Sequence, residues 1–329
     1  MSVLVTGGAG FIGAHVVNDL IAMGEQVVVL DDLSGGFREN VHPEALFIHG
    51  SINDVGLVDR IFADHKIEHV FHLAAYAAEG LSHFIKRFNY ENNLVGSVNL
   101  INAAVNTGTK SFVFTSSIAV YGPGQLPMHE DMIPTPEDSY GIAKFAVEME
   151  LRASKHMFDL DYIIFRPHNV YGEYQNIGDR YRNVVGIFMN QILQGKPLTV
   201  FGDGEQTRAF SYIRDISPII AHSPGTPEAY NQVFNIGADD VFTVNALAKA
   251  ICREFDVQPS ITHLAARREV AHAYSDHSKV QRVFGKQSTT PLSKGIHSMA
   301  EWVKRVGARE SKRFDDIEVK KNLPPSWHE

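Results

Sequence analysis

The sequence has one cysteine in 329 residues, Cys252. A single cysteine cannot form an internal disulfide, which predicts a reducing compartment. Cys252 lies in an apolar series at helical spacing, so we expect a packed core thiol rather than a nucleophile. No apolar run reaches about 18 residues, the length that a membrane span requires, and an apolar strand pattern directly follows Met1. We therefore predict a cytoplasmic protein with no membrane partner.

Basic charge is also scarce. Lys and Arg total 30 against 38 Asp and Glu, which gives a net charge of −8. The sequence has no basic tract that could bind the phosphates of a nucleic acid, so we predict no nucleic-acid partner. The composition is 44% hydrophobic and 21% charged, which is typical of a globular chain with one large domain or two.

Glycine, in contrast, is concentrated in TGGAGFIG at 6–13. Residues 3–6 are predicted to form a buried strand, and the apolar residues after the glycines follow an i, i+4 pattern that predicts a helix of about three turns. A second predicted strand, 26–30, ends at Asp31. This order is typical of a dinucleotide-binding βαβ unit, with the diphosphate at the helix N-terminus and the ribose at Asp31. Since a carboxylate repels a 2′-phosphate, the pattern predicts NAD rather than NADP.

Strand and helix patterns alternate through the first half of the chain. Six predicted strands with crossover helices indicate the α/β class, with a Rossmann-type doubly wound parallel sheet. After about Tyr171 the pattern becomes irregular, and we expect a smaller mixed α/β domain for the substrate. The predicted division is 1–172 for the NAD-binding domain (with some later segments returning to it), 173–310 mainly for the substrate domain, and 311–329 for a charged, loosely held tail.

Hydroxyl side chains follow the fifth predicted strand, at 115–117. In open α/β sheets, ligands bind beyond the carboxyl ends of the strands. Tyr140 and Lys144 come next, four residues apart on one face of a predicted helix. A nearby ammonium favours the phenolate and lowers the tyrosine pKa from about 10. Tyr140 could then take a proton from a substrate hydroxyl while a hydride leaves the same carbon.

Together these motifs resemble the extended short-chain dehydrogenase/reductase family, in its nucleotide-sugar epimerase and dehydratase group. The resemblance covers roughly residues 2–305. The matching segments are TGGAGFIG at 6–13, DDLSGG at 31–36, HLAA at 72–75, NNLVGS at 92–97, SSIAVYG at 116–122, YGIAK at 140–144, RPHNVYG at 166–172, FGDGEQTRAFSYIRD at 201–215 and NIG at 235–237.

The resemblance implies a role for each matched position. Tyr140 corresponds to the base, Lys144 to its electrostatic partner and Ser117 to the hydroxyl that assists them. The implied NAD contacts are Gly7, Gly10, Phe11, Ile12, Gly13, Asp31, Ser51, Ile52, Leu73, Ala74, Ala75, Asn92, Tyr140 and Lys144. The implied sugar-nucleotide contacts are Glu79, Ser117, His168, Asn169, Arg208 and Arg268. No metal site is implied.

Some of these positions have alternatives. Many relatives have an Asp near adenine where this chain has Ser51, so adenine recognition is expected to differ. His168 is equally consistent with a satisfied structural histidine, and Glu79 with a solvated carboxylate. The insert at 172–183, with Asp179, Arg180 and Arg182, is expected to help set sugar specificity.

The resemblance also narrows the reaction. Family members share removal of a hydride from sugar C4. Dehydratases then use an Asp-Glu pair where this chain has Ile118 and Ala119, and decarboxylases of UDP-glucuronate use a Glu at the second position. GDP-mannose 3,5-epimerases use a Cys and a Lys, where this chain has Ala119 and Gly178. A UDP-sugar 4-epimerase needs no further acid or base, because the keto sugar rotates and takes the hydride back on its other face.

Two alternatives remain open: another reaction of the same family, such as 4,6-dehydration or 3,5-epimerisation, and a non-catalytic NAD-binding scaffold. For the scaffold, Tyr140→Phe would change nothing measurable. Family members commonly dimerise through two helices beside the active site, here about 92–106 and 140–155, so we predict a homodimer. The outward residues of these helices are predicted to be Leu94, Val98, Phe145 and Met149.

Overall fold

The computed structural model describes residues 2–124, 126–266, 272–286, 289–310 and 314–327. Its strands are β1 (Ser2–Thr6), β2 (Gln26–Asp31), β3 (Leu46–His49), β4 (His69–His72), β5 (Ser111–Thr115), β6 (Asp161–Pro167), β7 (Val170–Tyr171), β8 (Leu198–Phe201), β9 (Thr207–Ala209), β10 (Ser211–Tyr212), β11 (Gln232–Ile236), β12 (Val241–Thr243), β13 (Ile261–Leu264) and β14 (His272–Ala273).

The α-helices are α1 (Phe11–Ala22), α2 (Val55–His65), α3 (Glu79–Ser82), α4 (Lys86–Tyr90), α5 (Gly96–Thr107), α6 (Ser139–Phe158), α7 (Val184–Leu193), α8 (Ile213–His222), α9 (Val244–Glu254), α10 (Ser278–Phe284) and α11 (Leu292–Val306). A π-helical turn, Glu91–Val95, joins α4 to α5. Among the described helices, none is long and apolar enough to cross a membrane.

A seven-stranded parallel sheet forms the centre of the fold, in the order β11-β6-β5-β4-β1-β2-β3. The predicted Rossmann-type sheet is confirmed, and the six predicted strands correspond to β1–β6. The seventh strand is β11, which returns from the irregular half of the chain to pair with β6. From β1 the chain moves outward to β3 and then returns to β4. A crevice therefore opens at the carboxyl ends of β1 and β4, where such sheets bind ligands.

Alternate side chains of β1 enter two apolar layers, one on each face of the sheet. Val3 and Val5 belong to the layer that contains Val16 and Val17 of α1, whereas Leu4 belongs to the layer on the other face. This follows from the two-residue period of a strand. Both faces are covered, which explains why the strands are apolar runs.

The later half of the chain adds three small sheets, with the strand orders β12-β9-β14, β10-β7 and β13-β8. Helices α7, α9 and α11 contribute to the same apolar layer as α1. The division of the chain near residue 172 stays a prediction, and β11 is one of the later segments that were expected to return to the first domain.

The expected loosely held tail is wrong for the described part of it, residues 314–327. The ring of Phe314 lies 4.8 Å from that of Phe88, and Trp327 is buried beside Phe84. Glu318 accepts hydrogen bonds from the backbone N–H groups of Arg87 and Phe88, at 3.0 and 3.1 Å. The segment docks because it covers apolar rings and satisfies the unpaired N–H groups at the start of α4.

Candidate active site

The glycine-rich turn between β1 and α1 is packed too closely for side chains. Gly7 has φ +73°, and a Cβ atom there would lie 2.6 Å from the backbone nitrogen of Ala74. A Cβ atom on Gly13 would lie 2.1 Å from the carbonyl oxygen of Gly7. The turn therefore rests directly on the loop after β4, at the crevice of the sheet.

The N-terminus of α1 opens into this crevice. Its N-cap residue is Gly10, and no side chain of the described residues caps it. The first N–H groups of the helix, on Phe11, Ile12 and Gly13, have no acceptor within the helix. These groups and the positive end of the helix dipole suit a phosphate group.

Asp31 lies beside the same turn, at the end of β2. Its carboxylate oxygens accept hydrogen bonds from the backbone N–H groups of Ala9 at 3.0 Å and of Leu33 at 2.8 Å. Burial raises the pKa of Asp31, while the two N–H groups lower it. Each oxygen keeps a further lone pair for a ribose hydroxyl. The turn, the helix end and Asp31 therefore fit a dinucleotide.

The other predicted cofactor residues fall into two places. Leu73, Ala74 and Ala75 follow β4 at the crevice, and the N–H group of Leu73 donates to Thr6 at 3.1 Å. Ser51, Ile52 and Asn92 lie further along the edge of the sheet, beyond β3. There the amide of Asn53 donates to the Asn92 side chain at 3.4 Å, and the methyl end of Ile52 packs on Gly96.

Ser117, Tyr140 and Lys144 come together beyond the end of β5. Ser117 accepts a hydrogen bond from the N–H group of Ala119 at 3.1 Å, and its hydroxyl is close enough to the Tyr140 hydroxyl to lower the pKa of Tyr140. Lys144 donates from Nζ to the carbonyl of Thr115 at 2.8 Å. Tyr140 is 6% exposed and Lys144 2%. The structure therefore assembles the predicted hydroxyl pair with the amine behind it.

The electrostatics of this group differ from the sequence-based expectation. Burial raises the pKa of Tyr140, and the carboxylate of Glu79 raises it further, while the nearby Ser117 hydroxyl lowers it. Burial also lowers the pKa of Lys144 to about 7, against an opposing effect of Glu148. The expectation that Lys144 lowers the tyrosine pKa below its usual value is therefore wrong for the protein alone. Desolvation is the largest influence on both pKa values, because both groups are almost excluded from water.

The sequence analysis missed a buried ionic network behind these residues. Glu148, four residues after Lys144 on α6, accepts from the Ser116 hydroxyl at 2.6 Å. The same carboxylate accepts from Arg166 of β6 at 2.5 and 2.9 Å. The Arg166 guanidinium also lies 4.7 Å from the centre of the Tyr121 ring. The network fixes the end of β5, and with it Ser117, against α6. Its sequence signal was the continuation of the Tyr140–Lys144 helix face to Glu148.

The predicted substrate residues lie on neighbouring loops. Asn169 (φ +40°) donates to the carbonyl of Ala209 at 3.2 Å, directly after Arg208 on β9. Glu79 is exposed at the start of α3, close enough to Tyr140 to affect its pKa. Arg268, with its neighbour Arg267, lies outside the described residues.

His168 is 2% exposed and fully partnered. Its Nδ1 is hydrogen-bonded to the carbonyl of Ala209 at 3.1 Å, and its Nε2 lies 3.0 Å from Nε2 of His277. Burial, with His277 beside it, lowers the pKa of His168 to about 3. These contacts favour a neutral structural histidine, the simpler of the two expectations. Within the described residues, no cluster of His, Cys, Asp and Glu could hold a metal ion.

Comparisons with known proteins agree with this geometry. UDP-glucose 4-epimerase of Mycolicibacterium smegmatis is 34% identical, over 92% of this chain and 98% of that protein. The crystal structure of UDP-glucose 4-epimerase from Thermotoga maritima, with UDP-glucose, has a TM-score of 0.89 at 35% identity, covering 93% of this chain and 99% of that one. UDP-glucuronic acid 4-epimerase from Bacillus cereus, in complex with UDP-glucuronic acid and NAD, has a TM-score of 0.85 at 27% identity, covering 93% and 100%.

A family model matches residues 3–237, from β1 through β11. This match covers the glycine turn, Asp31 and the Ser117, Tyr140 and Lys144 group. The chain therefore belongs to the NAD dependent epimerase/dehydratase family.

Proposed function

We propose that the protein is an NAD-dependent 4-epimerase of UDP-sugars. The observation that carries the proposal is the Ser117–Tyr140 hydroxyl pair, backed by Lys144, beside two positions that have no acid or base. Ile118 is buried and apolar, and Ala119 has no functional group. This set is sufficient for 4-epimerisation, and elimination of water would require more. The relatives named UDP-glucose 4-epimerase support the same assignment.

In the proposed mechanism, Tyr140 is the proton acceptor for the C4 hydroxyl and later returns that proton. Bound NAD would supply the hydride acceptor and donor for C4. Ser117 hydrogen-bonds to the same sugar oxygen and holds it against Tyr140. Because the same tyrosine serves both directions, the sugar can rotate and be reduced on its other face without a second acid.

The titration of Tyr140 and Lys144 is coupled in this proposal. The pKa of Lys144 is lowered by burial to about 7, so the amine is near its midpoint at neutral pH. A phenolate on Tyr140 would favour the ammonium form of Lys144, and the ammonium form would in turn favour the phenolate. The pair gains one positive charge when Tyr140 accepts the substrate proton, and transfer of the hydride to bound NAD⁺ would remove one positive charge from the same site.

The proposal is tested by incubation in deuterated water without added NAD. UDP-glucose, UDP-galactose, UDP-glucuronate, UDP-N-acetylglucosamine and GDP-mannose are supplied separately, and the products are identified by NMR. The expected product is the 4-epimer of one UDP-sugar with no carbon-bound deuterium, because the hydride returns to C4. Deuterium at C3 or C5 would assign a 3,5-epimerase instead. A stable 4-keto product would assign a dehydratase.

We also propose that the protein is a homodimer through α5 and α6. Exposed apolar side chains just before α5 and along the first half of α6 include Val95 at 51%, Ile142 at 42% and Met149 at 48%. Leu94, Val98 and Phe145 are half-buried beside them. Light scattering should give twice the chain mass of 36.6 kDa. The variant Ile142→Glu with Met149→Glu should be monomeric, whereas Met157→Glu, at the exposed end of α6, should stay dimeric.

We place the protein in the cytoplasm. The support is Cys252, a buried free thiol that has no cysteine partner in the sequence. Such a thiol is compatible with a reducing compartment. Cell fractionation with an antibody should recover the protein with cytoplasmic markers, and recovery with an extracellular or membrane fraction would contradict the assignment.

A further inference from the structure

The 172–183 insert places a guanidinium group in the cleft. Asp179 holds it, because Asp179 Oδ2 accepts from Nε and pairs with Nη2 of Arg182, both at 2.7 Å. The guanidinium carbon lies 4.8 Å from the centre of the Tyr76 ring, on the loop after β4. The Arg182 side chain is only 21% exposed. It is therefore a largely buried, ion-paired cation rather than a solvated surface arginine.

The same guanidinium reaches the loop after β2. A Cβ atom added at Gly35 would lie 3.3 Å from Nη2 of Arg182. This loop is seated on the glycine-rich turn, since the N–H group of Phe37 donates to the carbonyl of Ala9 at 2.9 Å. Arg182 therefore lies between the loops that follow β2 and β4, on either side of the turn after β1.

Arg182 also has hydrogen-bonding capacity left. Within the described residues, Asp179 is its one hydrogen-bond partner, and that contact uses Nε and Nη2. Both N–H groups of Nη1 therefore remain for a ligand. The turn itself, TGGAGFIG, contains no lysine or arginine. Backbone N–H groups alone would face the two negative charges of a dinucleotide diphosphate.

The effect of Arg182 extends to the catalytic end of the cleft. Burial and Glu79 raise the pKa of Tyr140, whereas Ser117 and Arg182 lower it. A molecule that extends from Asp31 to Tyr140 must pass this guanidinium. Arginine suits the task, because its planar donors match phosphate oxygens.

We propose that Arg182 is the cationic contact for the diphosphate of bound NAD, delivered across the cleft by the 172–183 insert. The inference rests on the NAD-dependent function proposed above. It gives the insert a second role besides sugar specificity, namely retention of the cofactor. Asp179 acts as the positioning residue that keeps the guanidinium over the cleft.

The test is isothermal titration of NAD⁺ into protein freed of cofactor, with UDP titrated in parallel. Arg182→Gln should bind NAD⁺ about tenfold more weakly or worse, as expected for the loss of one charge-assisted contact. Its affinity for UDP should stay within about twofold of the original protein. Arg180→Gln is the matched control, because Arg180 lies in the same insert but its Nη2 points to the carbonyl of Ser326, at 3.5 Å.

Three outcomes would overturn the inference. Unchanged NAD⁺ affinity in Arg182→Gln would show that Arg182 does not contact the diphosphate. Weaker UDP binding with unchanged NAD⁺ binding assigns Arg182 to the sugar nucleotide. An equal loss of NAD⁺ affinity in Arg180→Gln and Arg182→Gln would mean that both substitutions act by disturbing the fold of the insert. If Arg182→Gln does not fold, Arg182→Lys replaces it in the test. Lysine keeps the positive charge but lacks the paired N–H donors of the guanidinium, so this variant should bind NAD⁺ with intermediate affinity.

The failure of the proposed function can be distinguished from the failure of this inference. In one case, NAD⁺ binds the original protein, its affinity falls in Arg182→Gln, and no UDP-sugar is epimerised. The proposed Arg182 contact is then supported, and the proposed 4-epimerase reaction is wrong. In the other case, UDP-sugars are epimerised and NAD⁺ affinity is the same in Arg182→Gln as in the original protein. The proposed reaction is then supported, and the proposed Arg182 contact is wrong.

Discussion

The amine nitrogen of Lys144 lies 5.8 Å from the centre of the Tyr140 ring, one helical turn away on α6. The same nitrogen is tied to the carbonyl of Thr115 at 2.8 Å and lies 4.7 Å from the centre of the Phe114 ring. Lys144 is therefore held near the Tyr140 ring from a fixed position at the end of β5. The proposed proton transfer therefore depends on the end of β5, which holds the Lys144 amine, and on α6, which carries Tyr140 and Lys144 on one face.

The first prediction concerns Tyr140 as the proton acceptor. Tyr140→Phe should lower kcat by roughly a hundredfold to ten-thousandfold, the usual contribution of a positioned acid or base. Its NAD⁺ affinity, measured by titration, should remain within about twofold, because the ring is kept. Tyr230→Phe removes a hydroxyl that donates to Pro224 at 2.8 Å, outside the cleft, and it should be fully active. Unchanged activity in Tyr140→Phe would favour a non-catalytic scaffold.

The second prediction concerns pH and Lys144. Burial lowers the pKa of this amine from 10.5 to about 7 in the folded protein. Between these values the unfolded chain binds a proton that the folded chain does not. The free energy of unfolding should therefore rise with pH from about 7 to about 10.

Urea unfolding across this range should show a shallower rise for Lys144→Met than for the original protein. Lys249→Met, at an exposed position on α9, should keep the full slope. Equal slopes in all three proteins would mean that the amine stays protonated when buried.

The third prediction concerns the buried Glu148–Arg166 pair. Glu148→Gln leaves the Arg166 charge without its counter-ion in a site where the arginine is 1% exposed. Loss of one partner of a buried pair costs about 3–5 kcal/mol, whereas apolar replacement of both is close to neutral. Thermal and urea unfolding should therefore show that Glu148→Leu with Arg166→Met is more stable than Glu148→Gln. Glu150→Gln, exposed on the same helix, should match the original protein.

The fourth prediction concerns the docked C-terminal segment. Phe314→Ala removes a ring that contacts Phe88 and lies 5.6 Å from the ring of Tyr76. We expect a loss of about 1–3 kcal/mol in the free energy of unfolding, because the ring is half-buried. Val319→Ala changes a side chain that is 38% exposed on the same segment and should have little effect. Equal stability of both variants would mean that the segment contributes nothing to the fold.

The sequence by itself determined the parts that depend on short-range patterns. The glycine turn, its strand and helix, and the shared face of Tyr140 and Lys144 follow from turn chemistry and from helical and strand periods. The same local pattern predicted the ribose contact of Asp31, whereas the expected role of Ser117 came from the resemblance to the family. These features arise within about 30 residues of chain, so their residues alone specify them.

Only the tertiary structure decided the rest. Strand β11 joins the sheet because β6 leaves an edge that it can pair with, and residues 314–327 dock because α4 presents N–H groups and apolar rings. The raised pKa of Tyr140 comes from burial by elements distant in sequence. Arg182 reaches Gly35 and Tyr76 only because the insert crosses the cleft. Long-range pairing and desolvation depend on what the fold brings together, and no local pattern contains them.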